Sequence, residues 1–114
     1  MTDLILTTRA TPEGAVLTVA GDLDHDSNAA LRVAMGAITL GPGQTLTLDL
    51  AGLTFCDSSG ITALIAVHNL AQAQGAKTVL VDTPASTVRI LRFIGLDQIF
   101  QIHPAAEDDE EPSR

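Results

Sequence analysis

Six residues, Phe55-Cys56-Asp57-Ser58-Ser59-Gly60, hold the densest grouping of chemically able side chains in this 114-residue chain. Two hydroxyls stand beside a carboxylate and a thiol, and an apolar period that suits a helix begins immediately after them. Backbone N–H groups at a helix start point outward and favour an anion there. One serine can cap the helix while the other projects its hydroxyl at the surface. The plainer alternative is that Asp-Ser-Ser serves only to start the helix. The four residues alone leave both readings open.

Nucleophilic catalysis is the enzymatic rival. A serine hydrolase elbow has the form G-x-S-x-G, and with Ser58 as the nucleophile Cys56 stands where the first glycine belongs. His25, His68 and His103 are scattered, so no general base is implied for either serine. There is no Walker loop, hence no nucleotide site at the level of motifs, and no cofactor signature. Asp22, Asp24, His25 and Asp26 resemble a set of metal ligands, but the glycine and distal glutamate of an EF-hand are missing. A solvated loop opening a helix is the reading we carry forward. His68, three residues after Ile65, falls near the edge of an apolar stripe and reads as a partly buried or surface histidine rather than a ligand. Cys56 reads as a buried small hydrophobe, with redox sensing as its rival role. As the single cysteine, it excludes an internal disulfide and any cysteine-based metal cluster.

The elements that position these residues follow from periodicity. Leu4–Thr8 and Ala15–Ala20 are expected strands, joined by the turn Thr11-Pro12-Glu13-Gly14 as a hairpin. A polar loop, Gly21–Ser27, leads into a helix capped by Asp26 or Ser27 and running to about Ile38. Leu31, Met35 and Ile38 form its apolar stripe and Ala34 widens it. Gly41-Pro42-Gly43 ends that segment. Thr45–Leu50 alternates, with Leu46, Leu48 and Leu50 on one side, as a half-buried strand does. The longest helix opens at 57–60, carries Ile61, Leu64, Ile65 and Ala71 on its apolar side, and meets a C-terminal cap at Gly75. Lys77–Val81 is a strand. Thr83-Pro84 reads as an N-cap with proline at the first helical position. Val88, Leu91 and Ile94 or Phe93 carry the next helix, Gly95 ends it, and Ile99–Ile102 is a last strand. The order is ββαβαβαβ, an α/β fold with a mixed sheet, formed by an N-terminal hairpin and then alternating helix and strand. Residues 1–103 form one domain. Residues 104–114 carry no periodic apolar position and five acids, Glu107 to Glu111, and are expected to be a disordered tail.

Composition narrows the function. The chain is 46% hydrophobic but only 3% aromatic, so its core must be aliphatic. Its formal charge is −8, with nine acids against five bases in residues 1–103. Phosphate neutralisation and base stacking both lack residues, which argues against nucleic acid as a partner and against an anionic membrane surface. No apolar stretch approaches the ~20 residues needed to span a bilayer, so no membrane insertion is expected. Met1-Thr2-Asp3 lacks the features of a signal peptide, and the cytoplasm is the expected compartment.

Four stretches together resemble the STAS domain family, and within it the bacterial anti-sigma factor antagonists. They are Val19-Ala20-Gly21-Asp22-Leu23-Asp24, the run Leu48 to Ile61 that contains Asp57-Ser58-Ser59-Gly60, Gly75-Ala76-Lys77, and Val88 to Leu96. The resemblance spans residues 4–103. It implies a STAS-like sheet with helices packed mainly on one face and a regulatory role rather than catalysis. It further implies that Ser58 is phosphorylated by an ATP-binding anti-sigma factor serine kinase, and that a serine phosphatase reverses the step. The unphosphorylated form would bind the kinase and free a sigma factor. Asp24 matches a loop aspartate near the phosphorylation site, and Asp24, Asp57, Ser58, Ser59 and Gly60 are the expected partner-binding residues. Many members carry a further amphipathic helix after the last strand, where this chain has the acidic segment Pro104–Arg114. A STAS subunit or scaffold of a larger signalling or transport complex is the alternative function.

Overall fold

A computed structural model of the chain describes residues 2–105. The hairpin forms from β1 (Ile5–Thr11) and β2 (Gly14–Leu23), paired antiparallel with Arg9 opposite Val16. Helix α1 (Asn28–Gly36) follows, then β3 (Thr45–Asp49), β4 (Leu53–Cys56) and α2 (Ser58–Ala73). The chain continues as β5 (Lys77–Thr83), α3 (Ala85–Phe93), one 3₁₀ turn (Leu96–Gln98) and β6 (Gln101–Pro104). The sheet order is β1-β2-β3-β5-β6, with β4 pairing only to β2; every pairing beyond the hairpin is parallel.

Burial follows the alternation of the strands. Leu17, Val19, Leu46, Leu48 and Leu80 turn inward and are fully buried, where they meet Leu31 and Met35 of α1 and Leu64, Val67 and Ala71 of α2. The opposite face carries a row read straight across five strands, Arg9, Val16, Thr47, Val79 and Gln101, each half-buried or exposed. The helices therefore cover one face of the sheet. Three Phe and no larger aromatic leave the packing to leucine, valine and alanine, as the composition requires.

The structure departs from the sequence reading at several points of the fold. β4 is a strand within what was read as loop, so the order is ββαββαβαβ. Four residues with two exposed in the middle carry no period of their own; pairing to the end of β2 creates the strand. Thr83 closes β5 instead of capping α3. Its carbonyl accepts the Ala105 N–H at 3.0 Å, while the carbonyl of Pro84, the N-cap residue, accepts the Val88 N–H at 2.9 Å. In α3, Thr87, Val88 and Leu91 are buried, but Phe93 is 90% exposed and Ile94 half exposed. Nine residues end before the next inward position, and Leu96, beyond the left-handed turn at Gly95, fills that place instead. Finally, β6 runs to Pro104 and Ala105 is buried, past the expected end of the strand at Ile102. Pro104 is tolerated because β6 is an edge strand at its last position. The expected disorder of the acidic segment falls, from residue 106 onward, outside the described residues.

Candidate functional site

The strands β2 and β4 end side by side, with Leu23 opposite Cys56, and α2 starts from that corner. Two glycines make the corner possible. Gly21 sits at φ +100° where the β2–β4 register shifts, and a Cβ there would collide with the backbone of Asp3. Gly60 lies against β2: a Cβ would stand 2.7 Å from Cys56 Sγ and closer still to the Leu23 carbonyl oxygen. The glycine of Asp-Ser-Ser-Gly is thus a packing requirement that lets α2 approach the sheet.

Neither serine caps α2. Asp57 does, from an extended backbone (φ −96°, ψ −171°), with Oδ1 accepting the Gly60 N–H at 3.0 Å. Ser58 and Ser59 are already helical as its first two residues, so their hydroxyls are displaced from the N–H that a cap must reach. Ser58 is exposed, Ser59 half-buried and Gly60 buried. The second oxygen of Asp57 accepts the His25 N–H at 3.2 Å, and the Asp57 N–H donates to the Leu23 carbonyl at 3.3 Å. One carboxylate thereby holds the loop before α1 against the start of α2.

Asp24 lies in that loop, but its carboxylate serves the loop itself. Oδ1 accepts the N–H groups of Asp26 and Ser27 at 3.0 and 3.1 Å and the Ser27 hydroxyl at 3.1 Å. Ser27 holds the N-cap position of α1 without a side-chain cap bond; its hydroxyl donates to the Asp22 carbonyl at 2.7 Å. Asp22 turns elsewhere again, accepting the Thr54 hydroxyl at 2.6 Å and the Thr2 N–H at 3.0 Å. Those two bonds hold its carboxyl below the usual range. Among the described residues no group of three His, Cys, Asp or Glu is placed to hold a metal ion.

The histidines also separate. His25 joins the corner through its backbone, and His103 lies exposed on β6. His68 is buried rather than peripheral, with Nδ1 3.3 Å from the Thr78 hydroxyl and its ring edge-on to Phe100 at 5.3 Å. Beside Ser58, α3 contributes what the sequence reading missed. Ile90 and Ile94, with Cys56, Asp57, Ile61 and Thr62, line an open groove of about 410 Å³ whose rim includes Ser58. The signal was present as too many apolar residues for a nine-residue helix with a single inward stripe. Phe55, half exposed on β4, adds a further apolar surface at the end of that strand. Cys56 is half-buried, and burial together with the adjacent Asp57 charge pushes its thiol up to about 12.

The family model described as "Mlab, STAS domain" matches residues 6–102. The chain belongs to the STAS domain family. Among curated STAS relatives, the anti-sigma-F factor antagonist RsfB of Mycobacterium tuberculosis is 31% identical over 107 residues, 93% of this chain and 87% of that protein. The anti-sigma F factor antagonist of Lysinibacillus sphaericus is 30% identical over 87 residues, 75% of this chain and 74% of its own. The crystal structure of an anti-sigma factor antagonist from Mycobacterium paratuberculosis superposes with a TM-score of 0.73 at 26% identity, covering 93% of this chain and 90% of that one. The mixed sheet with three helices is the STAS fold. Among the described residues no helix is long and apolar enough to cross a membrane.

Proposed function

We propose that this STAS domain is an anti-sigma factor antagonist, a binding module and not an enzyme, whose grip on an anti-sigma factor serine kinase is set by phosphorylation of Ser58. The observation that carries the reading is the position of Ser58, exposed as the first residue of α2 on the rim of an apolar groove. Relatives named as anti-sigma factor antagonists support an anti-sigma factor as the partner. As such a regulator the chain works in the cytoplasm, and binding the kinase frees a sigma factor.

The switch is electrostatic. The kinase transfers the γ-phosphoryl group of ATP to Ser58 Oγ: the Oγ–P bond forms, the bond to the ADP oxygen breaks, and the hydroxyl proton leaves to a base on the kinase. A phosphatase returns the hydroxyl by hydrolysis. The phosphate adds about −1.5 to −2 charges at pH 7. A helix start accommodates that charge without refolding. At the interface it is costly, because a neutral hydroxyl can be buried against a partner while a dianion needs cations in place. Asp57, one residue away, adds repulsion. Asp57, Ser59 and Gly60 shape the surface that the partner meets, and Asp24 acts on it by ordering the neighbouring loop.

The test is titration calorimetry against the cognate kinase with Ser58→Glu and Ser58→Ala, with circular dichroism of both. Ser58→Glu is expected to lose on the order of 2–5 kcal/mol of binding if the site is central and dry, nearer 1 on a wet rim. Ser58→Ala should bind as the parent does and take up no phosphate. A Ser58→Glu variant that binds fully, or phosphate mapped to Ser59 alone, overturns the reading.

A further inference from the structure

We propose that the uncovered face of the sheet binds a small polyhydroxylated dianion, of the class of sugar bisphosphates, in a trough between Arg9 and Lys77. Strand register builds the trough. Beside the row that runs from Arg9 to Gln101, pairing sets a second row of Thr11, Gly14, Thr45 and Lys77. Side chains of both rows, with Glu13 from the hairpin turn, line a depression of about 460 Å³. Clefts that hold small ligands run from roughly 300 to 1,000 Å³. Gly14 gives the second row no side chain, which leaves it open between Thr11 and Thr45. A Cβ at that position would strike the Thr45 carbonyl oxygen.

Charge and hydroxyls define the occupant. Of the five bases in residues 1–103, two stand at diagonal corners of this trough. Arg9 on β1 and Lys77 on β5 are three strand spacings and two residues apart, roughly 16 Å between Cα atoms. Both are exposed, and each presents its cation from one end of the trough. A ligand with a negative group at each end meets both, through charge-assisted hydrogen bonds that exceed neutral ones in strength. Between the cations, half-buried Val16 and Val79 give an apolar floor for C–H groups. Thr45 and Thr47, also half-buried, offer hydroxyls that donate or accept. Among the described residues Glu13 is the one carboxylate that lines the trough. Its turn is pinned there by the Glu13 carbonyl, which accepts the Thr45 N–H at 2.8 Å. A carboxylate accepts from ligand hydroxyls and disfavours a bare anion beside it, so it selects a hydroxylated one. The described lining holds no aromatic ring, so a nucleobase has nothing to stack on. Ser58 and α2 belong to the other face, and this binding does not depend on the reading above.

The experiment titrates fructose 1,6-bisphosphate into the isotope-labelled full chain at fixed ionic strength and follows its amide NMR resonances. Saturable shifts are expected at Thr11, Thr45, Thr47, Lys77 and Val79, with residues 57–62 unmoved. R9Q and K77Q should each weaken binding about tenfold, the low end for a hydrogen bond to a charged group. Both residues are exposed, so circular dichroism of the variants should overlay the parent. Inorganic phosphate meets one cation at a time and should bind about tenfold more weakly than the sugar bisphosphate. E13Q should narrow that gap, because it removes the carboxylate that disfavours a bare anion. The proposal is overturned if no saturable shift appears by about 10 mM, tenfold above a Kd of about 1 mM. It is equally overturned if a chain carrying both R9Q and K77Q binds as the parent does, or if inorganic phosphate binds as well as the sugar bisphosphate. Shifts centred on residues 57–62 would place the anion at the start of α2 and overturn it too.

Discussion

Asp57 carries more of the site's structure than either serine beside it. Its two oxygens satisfy a helix N–H and the N–H of His25, so the cap of α2 and the placement of the α1 loop share one side chain. Asp57→Ala should cost about 1 kcal/mol, and up to 2, from lost capping alone. Denaturant midpoints should show that loss, with Ser59→Ala close to neutral. The thiol next to it is held neutral. With its pKa raised from 9.0 to about 12, Cys56 carries roughly 1,000-fold less thiolate at pH 8 than an ordinary thiol. The higher nucleophilicity of a more basic thiolate recovers part of this, leaving alkylation on the order of 30- to 60-fold slow. Iodoacetamide kinetics on the native and the urea-unfolded chain measure the ratio. The sign of the linkage is fixed as well: the unfolded thiol ionises near pH 9 and the folded one near 12, so this group withdraws stability as pH rises between them. Equal alkylation rates would show that the thiol is not desolvated.

Elements meet at the same corner, and their fit is tight at Gly60. Its Cα faces the Leu23 carbonyl and Cys56 Sγ with no room for a methyl group. Gly60→Ala must push α2 away from the ends of β2 and β4, at roughly 1–3 kcal/mol. That outweighs the gain of at most about 1 kcal/mol that alanine brings to a helix interior. The net effect should be a lower melting temperature and shifted resonances at Leu23 and Cys56. A stabilised variant would mean the corner relaxes freely. α3 obeys a different constraint. Its inward stripe is complete with Thr87, Val88 and Leu91, so Ile90 and Ile94 are released to wall the groove and Phe93 to solvent.

For the whole molecule the governing quantity is charge. Residues 1–103 hold nine acids against five bases, a formal −4, on a body with a radius of gyration of 13.5 Å. At 0.01 M salt the Debye length, roughly 30 Å, exceeds that radius, and the acids repel one another across the molecule. At 0.15 M, roughly 8 Å, they do not. Stability should therefore rise with sodium chloride over this range, by about 0.5 kcal/mol or roughly 2–4 °C for a domain of this size. Differential scanning calorimetry at constant pH reads it directly. A melting temperature that falls with salt would mean attractive ion pairs outweigh the net repulsion.

The sequence by itself determined the α/β class, five of the six strands and all three helices, while the single face they cover was implied by the family resemblance alone. Each of those carries its own period or its own stop signal: Leu46, Leu48 and Leu50 at two, Leu31, Met35 and Ile38 near 3.6, Gly75 and Gly95 at the ends. It also brought Ser58 and Ser59 forward, because Asp-Ser-Ser-Gly between a strand and a helix is a local pattern, and the family resemblance chose Ser58 between them. Only the tertiary structure decided the rest. β4 exists because β2 continues past Gly21 and offers it a partner. The capping role went to Asp57, since one residue of register separates a cap from a first helical turn. The groove depends on Ile90 and Ile94 standing next to residues 56–62, some thirty positions earlier in the chain. Periodicity reports which residues one element turns inward; it carries no information on which neighbour will stand across from those it leaves outside.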